Sequence, residues 1–322
     1  MKVAVIGSGG VGGLVGGLLA RAGIDVAFLA RGRTLQALQE QGLHVASPLG
    51  DFSIRPVVAS SDPAVLGGSD VVLVAVKAWQ VKGIAPMLLP LLKHDTTVIP
   101  VQNGVEAADQ LQSVLPAGVV VGGICHVLAW LEQPAHVVHR GKGPLITLGE
   151  LNGKVSPRLE KIAEAFRRAV ISMALSPDIR AGLWEKLMFV EPLGSIGAVT
   201  RVPVDIFRSV PESRAMLLEA MMEVQRISEA LGIRLRPEAF EKSTMRLDAL
   251  PAGSTTSMHR DIVEGRPSEL EEQTGAVVRF AKETRSAAPV HAWLRSALLP
   301  QELQARKVEN NGASSRPDPR PR

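Results

Sequence analysis

The residues best suited to chemistry stand at the front of the chain, where Gly7-Ser8-Gly9-Gly10-Val11-Gly12 has the spacing G-x-G-x-x-G. That spacing suits a pyrophosphate. The first glycine permits a tight turn, the second lets backbone approach the phosphates, and the third lets a following helix pack closely on a strand. The phosphates would rest on the amides at the N-terminus of that helix. Arg31 stands where the second strand of such a fold ends. An NAD site places Asp or Glu there to accept from the ribose 2′-hydroxyl. A guanidinium instead binds a 2′-phosphate through charge-assisted hydrogen bonds, so Arg31 implies NADP(H); a surface arginine in a turn is the plainer alternative. Lys77 ends an apolar run, at the edge where open α/β sheets bind ligands, and a solvated strand-end lysine would look the same. Asn103, in Gln102-Asn103-Gly104, is turn chemistry that can also aim an amide at a nicotinamide or a substrate.

Further along, Lys186 falls at the edge of the apolar arc Ile179, Leu183 and Leu187, with Val190 one helical turn on along the same side. A lysine there half-faces a core or cleft, although snorkelling explains it more simply. Ser268-Glu269-Leu270-Glu271 reads as a capping box, with Ser268 as N-cap and Glu271 reaching back. Glu269 then lies in a first helical turn, where the dipole favours its ionised form. The segment before it offers Thr256, Ser257 and Arg260, hydroxyls and a guanidinium suited to an acidic substrate.

The elements that position these residues fall into two halves. Apolar runs at 3–6, 25–29, 70–77 and 97–101 read as strands buried on both faces of a parallel sheet. Segments 43–47 and 52–58 alternate around a turn, as a hairpin inserted in that sheet would. Residues 118–149 are strand-rich, 155–168 form an amphipathic helix, and 171–175 a last strand. Beyond Pro177 helical periodicity takes over, at 178–189, 211–231, 237–247 and 268–282. The expected class is α/β: a Rossmann-type dinucleotide-binding domain over 1–176, an all-helical domain over 177–308 that carries substrate and catalytic groups, and a disordered tail over 309–322.

Composition narrows the function. Hydrophobic residues make up 46% of 322, charged ones 21%, and no later apolar run is long enough to span a bilayer. Residues 3–20 lack charge, as a signal peptide or membrane helix would, but seven of those eighteen are glycine. Half of the net charge of +4 lies beyond Asn310, and eleven aromatic residues with no basic stripe argue against nucleic acid. One cysteine, Cys125, excludes an intramolecular disulfide and fits a reducing cytoplasm, where it reads as an inert buried thiol. His136 and His139 fall on opposite sides of a strand with no third ligand, so no metal is expected.

Taken together, Gly7 to Gly12, Arg31, Val76-Lys77-Ala78, Gln102-Asn103-Gly104, Trp184-Glu185-Lys186-Leu187 and Ser257-Met258-His259-Arg260-Asp261 with Arg266-Pro267-Ser268-Glu269 resemble the ketopantoate reductase family, the 2-dehydropantoate 2-reductases, over the chain up to about Gln304. The resemblance implies NADPH on the N-terminal domain and reduction of a 2-keto acid in the cleft against the helical domain. It makes Lys186 the general acid. Glu269 would hydrogen-bond the substrate hydroxyl, Ser257 would bind the substrate, and Lys77 and Asn103 would line the cleft. Coenzyme contacts would come from residues 7–12, Arg31, Lys77, Asn103 and Glu269. Where the family carries two asparagines, four and eight residues after the lysine, this chain has Val190 and Gly194. The implied substrate is 2-dehydropantoate or another short branched 2-keto acid. A non-catalytic NADP(H)-binding regulator is the third reading, one that has no use for Lys186 and Glu269. The implied partner is a small molecule, with neither nucleic acid nor membrane; a homodimer is compatible with the pattern, and the location is cytoplasmic.

Overall fold

Apolar runs too short for helices become strands in the computed structural model, which describes residues 1–154 and 156–314. In chain order they are β1 (Lys2–Ile6), β2 (Asp25–Leu29), β3 (Leu43–Ala46), β4 (Phe52–Ile54), β5 (Val58–Ser60), β6 (Ser69–Val74), β7 (Leu92–Pro100), β8 (Gly122–Gln133), β9 (His136–Gly149) and β10 (Ser172–Leu175). One sheet has the order β5-β2-β1-β6-β7 and is parallel throughout. Its central strands are buried on both faces, with Val3 to Ile6 and Val72 to Val74 fully enclosed, which explains why they read as unbroken apolar runs.

The second sheet differs from the sequence expectation. β3 and β4 do form an antiparallel hairpin, but it belongs to a mixed sheet of order β10-β9-β3-β4, with β8 antiparallel to β9. The expected strand over 52–58 divides, and Val58–Ser60 returns to the parallel sheet beside β2. Alternation reports which face of a strand is buried and not which sheet it joins.

Between the two sheets lies helix Gly10–Arg21, and its glycines follow from that place. A Cβ on Gly12 would fall 3.1 Å from Val5 Cγ1, and one on Gly16 2.6 Å from Phe28, both on the parallel sheet. On the opposite side a Cβ on Gly10 would fall 2.4 Å from Ala129 O, and one on Gly13 2.7 Å from Val137, both on the second sheet. Glycine-lined on two faces, the helix lets both sheets approach closely, while Leu14, Val15, Leu18 and Leu19 fill the core between them.

Internal contacts divide the chain into two units, Met1–Leu183 and Trp184 onward. The division falls inside helix Ile179–Thr200, eleven residues longer at its C-terminal end than the expected 178–189. The other helices of the second unit are Val204–Ser209, Pro211–Ala230, Ala239–Asp248, Ser257–Val263, Thr274–Thr284 and Pro289–Ser314. The last of these corrects the expected disorder from 309: the helix continues to Ser314, and residues 315–322 lie outside the described residues. The helix expected from Val155 begins at Pro157; Val155 itself is also outside them. Among the described residues no helix is long and apolar enough to cross a membrane.

Candidate functional site

In the first unit the sequence-predicted ligand residues gather at the C-terminal ends of β1, β2, β6 and β7. Gly7 ends β1 with φ +96°, its N–H donating to Leu29 O at 3.1 Å, and a Cβ there would lie 2.9 Å from Val76 N. Only glycine combines that dihedral with that approach. A Cβ on Gly12 would meet Gly7 O at 2.0 Å, whereas one on Gly9 would meet nothing within 4 Å. Gly9 is the N-cap of helix Gly10–Arg21, and no side chain caps it. Open backbone at Gly9 and uncapped leading amides fit a pyrophosphate, so the residues present suit a dinucleotide. Ser8 is buried in the turn, and Val11 is half-buried. Arg31 follows β2 as the exposed N-cap of helix Gly32–Glu40.

Lys77 and Asn103 follow the neighbouring strands β6 and β7. A residue given no role at the sequence level braces them: Gln102, 6% exposed, donates from Nε2 to Val74 O at 2.8 Å and Val76 O at 3.0 Å. It ties the two strand ends together directly before Lys77 and Asn103. A buried glutamine at a strand end needs such acceptors, which is the signal that could have revealed it. Lys77 N donates to Gln80 Oε1 at 3.2 Å, and Lys77 Nζ lies 5.6 Å from the Trp79 ring centroid.

In the second unit Lys186 and Val190 are half-buried on helix Ile179–Thr200. The same helix carries Gly194 and Gly197, where a Cβ would fall 2.7 Å from Met258 Cε and 2.6 Å from His259 Nδ1. Those glycines let helix Ser257–Val263 press against the lysine helix. Ser257 and Arg260 are both half-buried, one turn apart, and Thr256 Oγ caps their helix by accepting from His259 N at 3.2 Å. Arg260 donates to Thr255 Oγ1 at 2.9 Å, and burial depresses its pKa.

Glu269 is 5% exposed, but it does not sit in the first turn of a helix. Helix Thr274–Thr284 starts later, with Gln273 as N-cap. The expected capping box is absent because a distant carboxylate takes the serine: Ser268 N and Oγ both donate to Glu302 Oε2, at 3.0 and 2.5 Å. Glu271 turns instead to Arg295, at 3.0 Å. Glu269 is held by Gln273, whose Nε2 donates to Glu269 Oε2 at 3.3 Å and whose N–H donates to Glu269 O at 3.0 Å. Beside it, burial pushes the Glu272 carboxyl up to about 7.

Glu191 and Ser195, the polar groups nearest Val190 in sequence, are fully buried and already engaged. Glu191 Oε1 accepts from Thr274 Oγ1 at 2.6 Å, Glu191 Oε2 lies 2.7 Å from His291 Nε2, and Ser195 Oγ donates to Glu191 O at 3.2 Å. Neither is available to replace a missing amide toward a substrate.

The remaining histidines of interest have structural settings. His136 stacks on His44 with centroids 4.5 Å apart, and His139 is buried against Ser47 Oγ at 2.8 Å. Among the described residues no group of three His, Cys, Asp or Glu side chains is placed to hold a metal. Cys125 is buried, 6% exposed.

A parallel sheet with an open glycine turn at its carboxyl edge, followed by a helical unit carrying a half-buried lysine and a buried glutamate, defines the class: a Rossmann-type oxidoreductase. Comparison with known proteins makes this specific. The family described as ketopantoate reductase PanE/ApbA matches residues 3–153, and its C-terminal part matches 178–301; the chain belongs to the ketopantoate reductase family. It is 30% identical over 287 residues to a 2-dehydropantoate 2-reductase of Nostoc sp., covering 88% of this chain and 89% of that one. It is 28% identical over 290 residues to the uncharacterized oxidoreductase YkpB of Bacillus subtilis, covering 90% and 95%. Among solved structures, a PanE/ApbA family ketopantoate reductase from Ralstonia eutropha superposes with a TM-score of 0.87 at 28% identity, over 95% of this chain and 100% of the other.

Proposed function

We propose that the protein is an NADPH-dependent reductase of a short 2-keto acid, acting in the cytoplasm. The observation that carries this reading is the pairing, in a chain matched by both parts of the family, of an open glycine turn and Arg31 in one unit with Lys186 and Glu269 in the other. Arg31 supplies the cation for a 2′-phosphate, and the uncapped amides after Gly9 receive the pyrophosphate. The coenzyme supplies the hydride. As the carbonyl carbon accepts it, negative charge grows on oxygen; the Lys186 ammonium stabilises that charge and then delivers the proton. Glu269, fixed by Gln273, accepts from the hydroxyl that forms and orients it. Ser257 and Arg260 hold the substrate carboxylate: a half-buried guanidinium whose ionisation is opposed by burial gains from an anion beside it. By the family resemblance Lys77 and Asn103, at the ends of β6 and β7, serve coenzyme and substrate binding.

Which keto acid is turned over depends on Val190 and Gly194. A substrate hydroxyl against Val190 would lose its water without gaining a partner, at a cost of about 1–3 kcal/mol. The space at Gly194 is filled by Met258 and Thr256. The second reading, a branched 2-keto acid without the hydroxyl of 2-dehydropantoate, is favoured by that lining. NADPH oxidation against a panel of 2-keto acids, including 2-dehydropantoate and its deoxy relatives, tests both. Turnover of at least one short 2-keto acid is expected, with the less hydroxylated ones ahead. Absence of turnover with every member would contradict the reading.

A further inference from the structure

The second unit contains a charged network that the proposed reaction does not use. Glu191, Glu223 and His291 are each fully buried and lie on three different helices, Ile179–Thr200, Pro211–Ala230 and Pro289–Ser314. His291 Nδ1 lies 2.5 Å from Glu223 Oε2, and its Nε2 lies 2.7 Å from Glu191 Oε2. Glu223 is further satisfied by Val290 N and His291 N, at 2.8 and 3.1 Å. The remaining oxygen of Glu191 accepts from Thr274 Oγ1 at 2.6 Å. Burying two carboxylates and an imidazole is costly, and apolar residues of the same volume usually serve stability as well or better. What such a network offers is fixed geometry, and its Glu191 and Thr274 lie on or next to the segments that carry Lys186 and Glu269.

Glu191 is on the helix of Lys186, five residues further on. Thr274 directly follows Gln273, whose side chain and N–H both hold Glu269. The Thr274–Glu191 contact is therefore a short rigid link between the helix of the proton donor and the turn of the carboxylate. At the other end of that turn, Ser268 is tied to Glu302, and Arg306 donates to Ser268 O at 3.0 Å. The turn is pinned on both sides of Glu269, and on the Thr274 side the anchor is the lysine helix itself.

We propose that Thr274 and Glu191, with His291 and Glu223 behind them, are positioning residues that set Glu269 relative to Lys186. The inference rests on the reading of those two residues as the groups that act on the keto acid. Misplacing a reacting group by about 1 Å costs on the order of 100-fold in rate, so a link between the two segments that carry Lys186 and Glu269 can control turnover without touching substrate.

The test uses Thr274→Val, Thr274→Ser, Glu191→Gln and the double variant Glu191→Gln/Thr274→Val, assayed on the best keto acid of the panel. Thr274→Val is expected to lower kcat by roughly 10- to 100-fold, with the dissociation constant for NADPH and the number of NADPH sites per chain unchanged. Thr274→Ser keeps the hydroxyl and is expected to restore kcat to near wild type. If the two residues act through their one contact, the double variant loses no more than the worse single one. A merely structural role predicts the opposite split: a lower melting temperature with full kcat per NADPH site below it. That result, or a Thr274→Val enzyme indistinguishable from wild type in kcat, overturns the inference while leaving the proposed reaction intact. Should wild type reduce no keto acid at all, the functional reading fails and the inference falls with it. Glu191→Gln that does not fold leaves the two Thr274 variants to decide.

Discussion

Lys186 and Arg31 carry the two charges on which the proposed chemistry depends, and they make separable predictions. A general acid contributes about 10²–10⁴-fold to turnover, so Lys186→Ala should lose that much in kcat while its dissociation constant for NADPH stays at the wild-type value. Near-normal kcat in the folded variant would remove Lys186 from the mechanism. Arg31 is exposed at a helix N-cap, free of the burial that would give it a structural task. A charge-assisted hydrogen bond is worth about 1.5–3 kcal/mol, so Arg31→Ala should lower the ratio of kcat/KM for NADPH over NADH by roughly tenfold or more. An unchanged ratio would mean that Arg31 does not bind the 2′-phosphate. The place of each residue in the fold was legible in the sequence because each stands at a fixed offset from a strong local pattern: the glycine turn and second strand for Arg31, an apolar helical arc for Lys186. The long-range contacts that pin the turn of Glu269 were not. Ser268-x-x-Glu271 has the letters of a capping box, but Glu302, thirty-four residues away in sequence, takes the serine. Thr274 and His291 reach Glu191 across sequence separations of 83 and 100 residues, beyond the reach of any local rule.

At the scale of the element, the glycine-rich helix separates binding from packing. Gly9 has φ −73°, which alanine adopts freely, and open space where its Cβ would go. Gly9→Ala should therefore melt within a few degrees of wild type yet bind NADPH weakly, because the methyl group occupies the space the phosphates need. Gly12→Ala drives a methyl group into Gly7 O and should destabilise the fold by about 1–3 kcal/mol or more, as overpacking of a rigid core does. Calorimetric melting beside fluorescence titration with NADPH reads both. Equal losses of stability in the two variants would contradict the division of roles. The strand–turn–helix signature was legible from residues 3–19 alone. The second sheet was not: the hairpin 43–54 alternates as well in one sheet as in another, and only its pairing with β9, some ninety residues later, assigns it.

For the molecule as a whole, the Glu191–His291–Glu223 network links stability to pH. Burial opposes the charge on His291, but the flanking carboxylates outweigh it and raise its pKa from 6.5 to about 9. Burial likewise opposes ionisation of Glu191, and His291 with Thr274 more than compensates, holding it below its ordinary 4.5. A raised histidine stabilises fully below 6.5 and loses its contribution as pH rises through about 9; a depressed carboxylate stabilises fully above 4.5 and loses it as pH falls through its folded value. The network's contribution is thus complete between about pH 4.5 and 6.5. The melting-temperature difference between wild type and His291→Gln should be largest in that window and shrink as pH rises from 6.5 through about 9. A difference that stays constant up to pH 10 or so would show that His291 is buried neutral.

The two halves of the chain are bound into one account by the claim that hydride passes from NADPH to C2 of a 2-keto acid. The most direct measurement is to supply NADPH deuterated at both hydrogens of nicotinamide C4, with the best keto acid of the panel, and to analyse the product by mass spectrometry and NMR. The account predicts a 2-hydroxy acid carrying one deuterium at C2, formed by wild type and suppressed in Lys186→Ala. A 2-hydroxy acid without the label, or no 2-hydroxy acid from any keto acid tested, would contradict it.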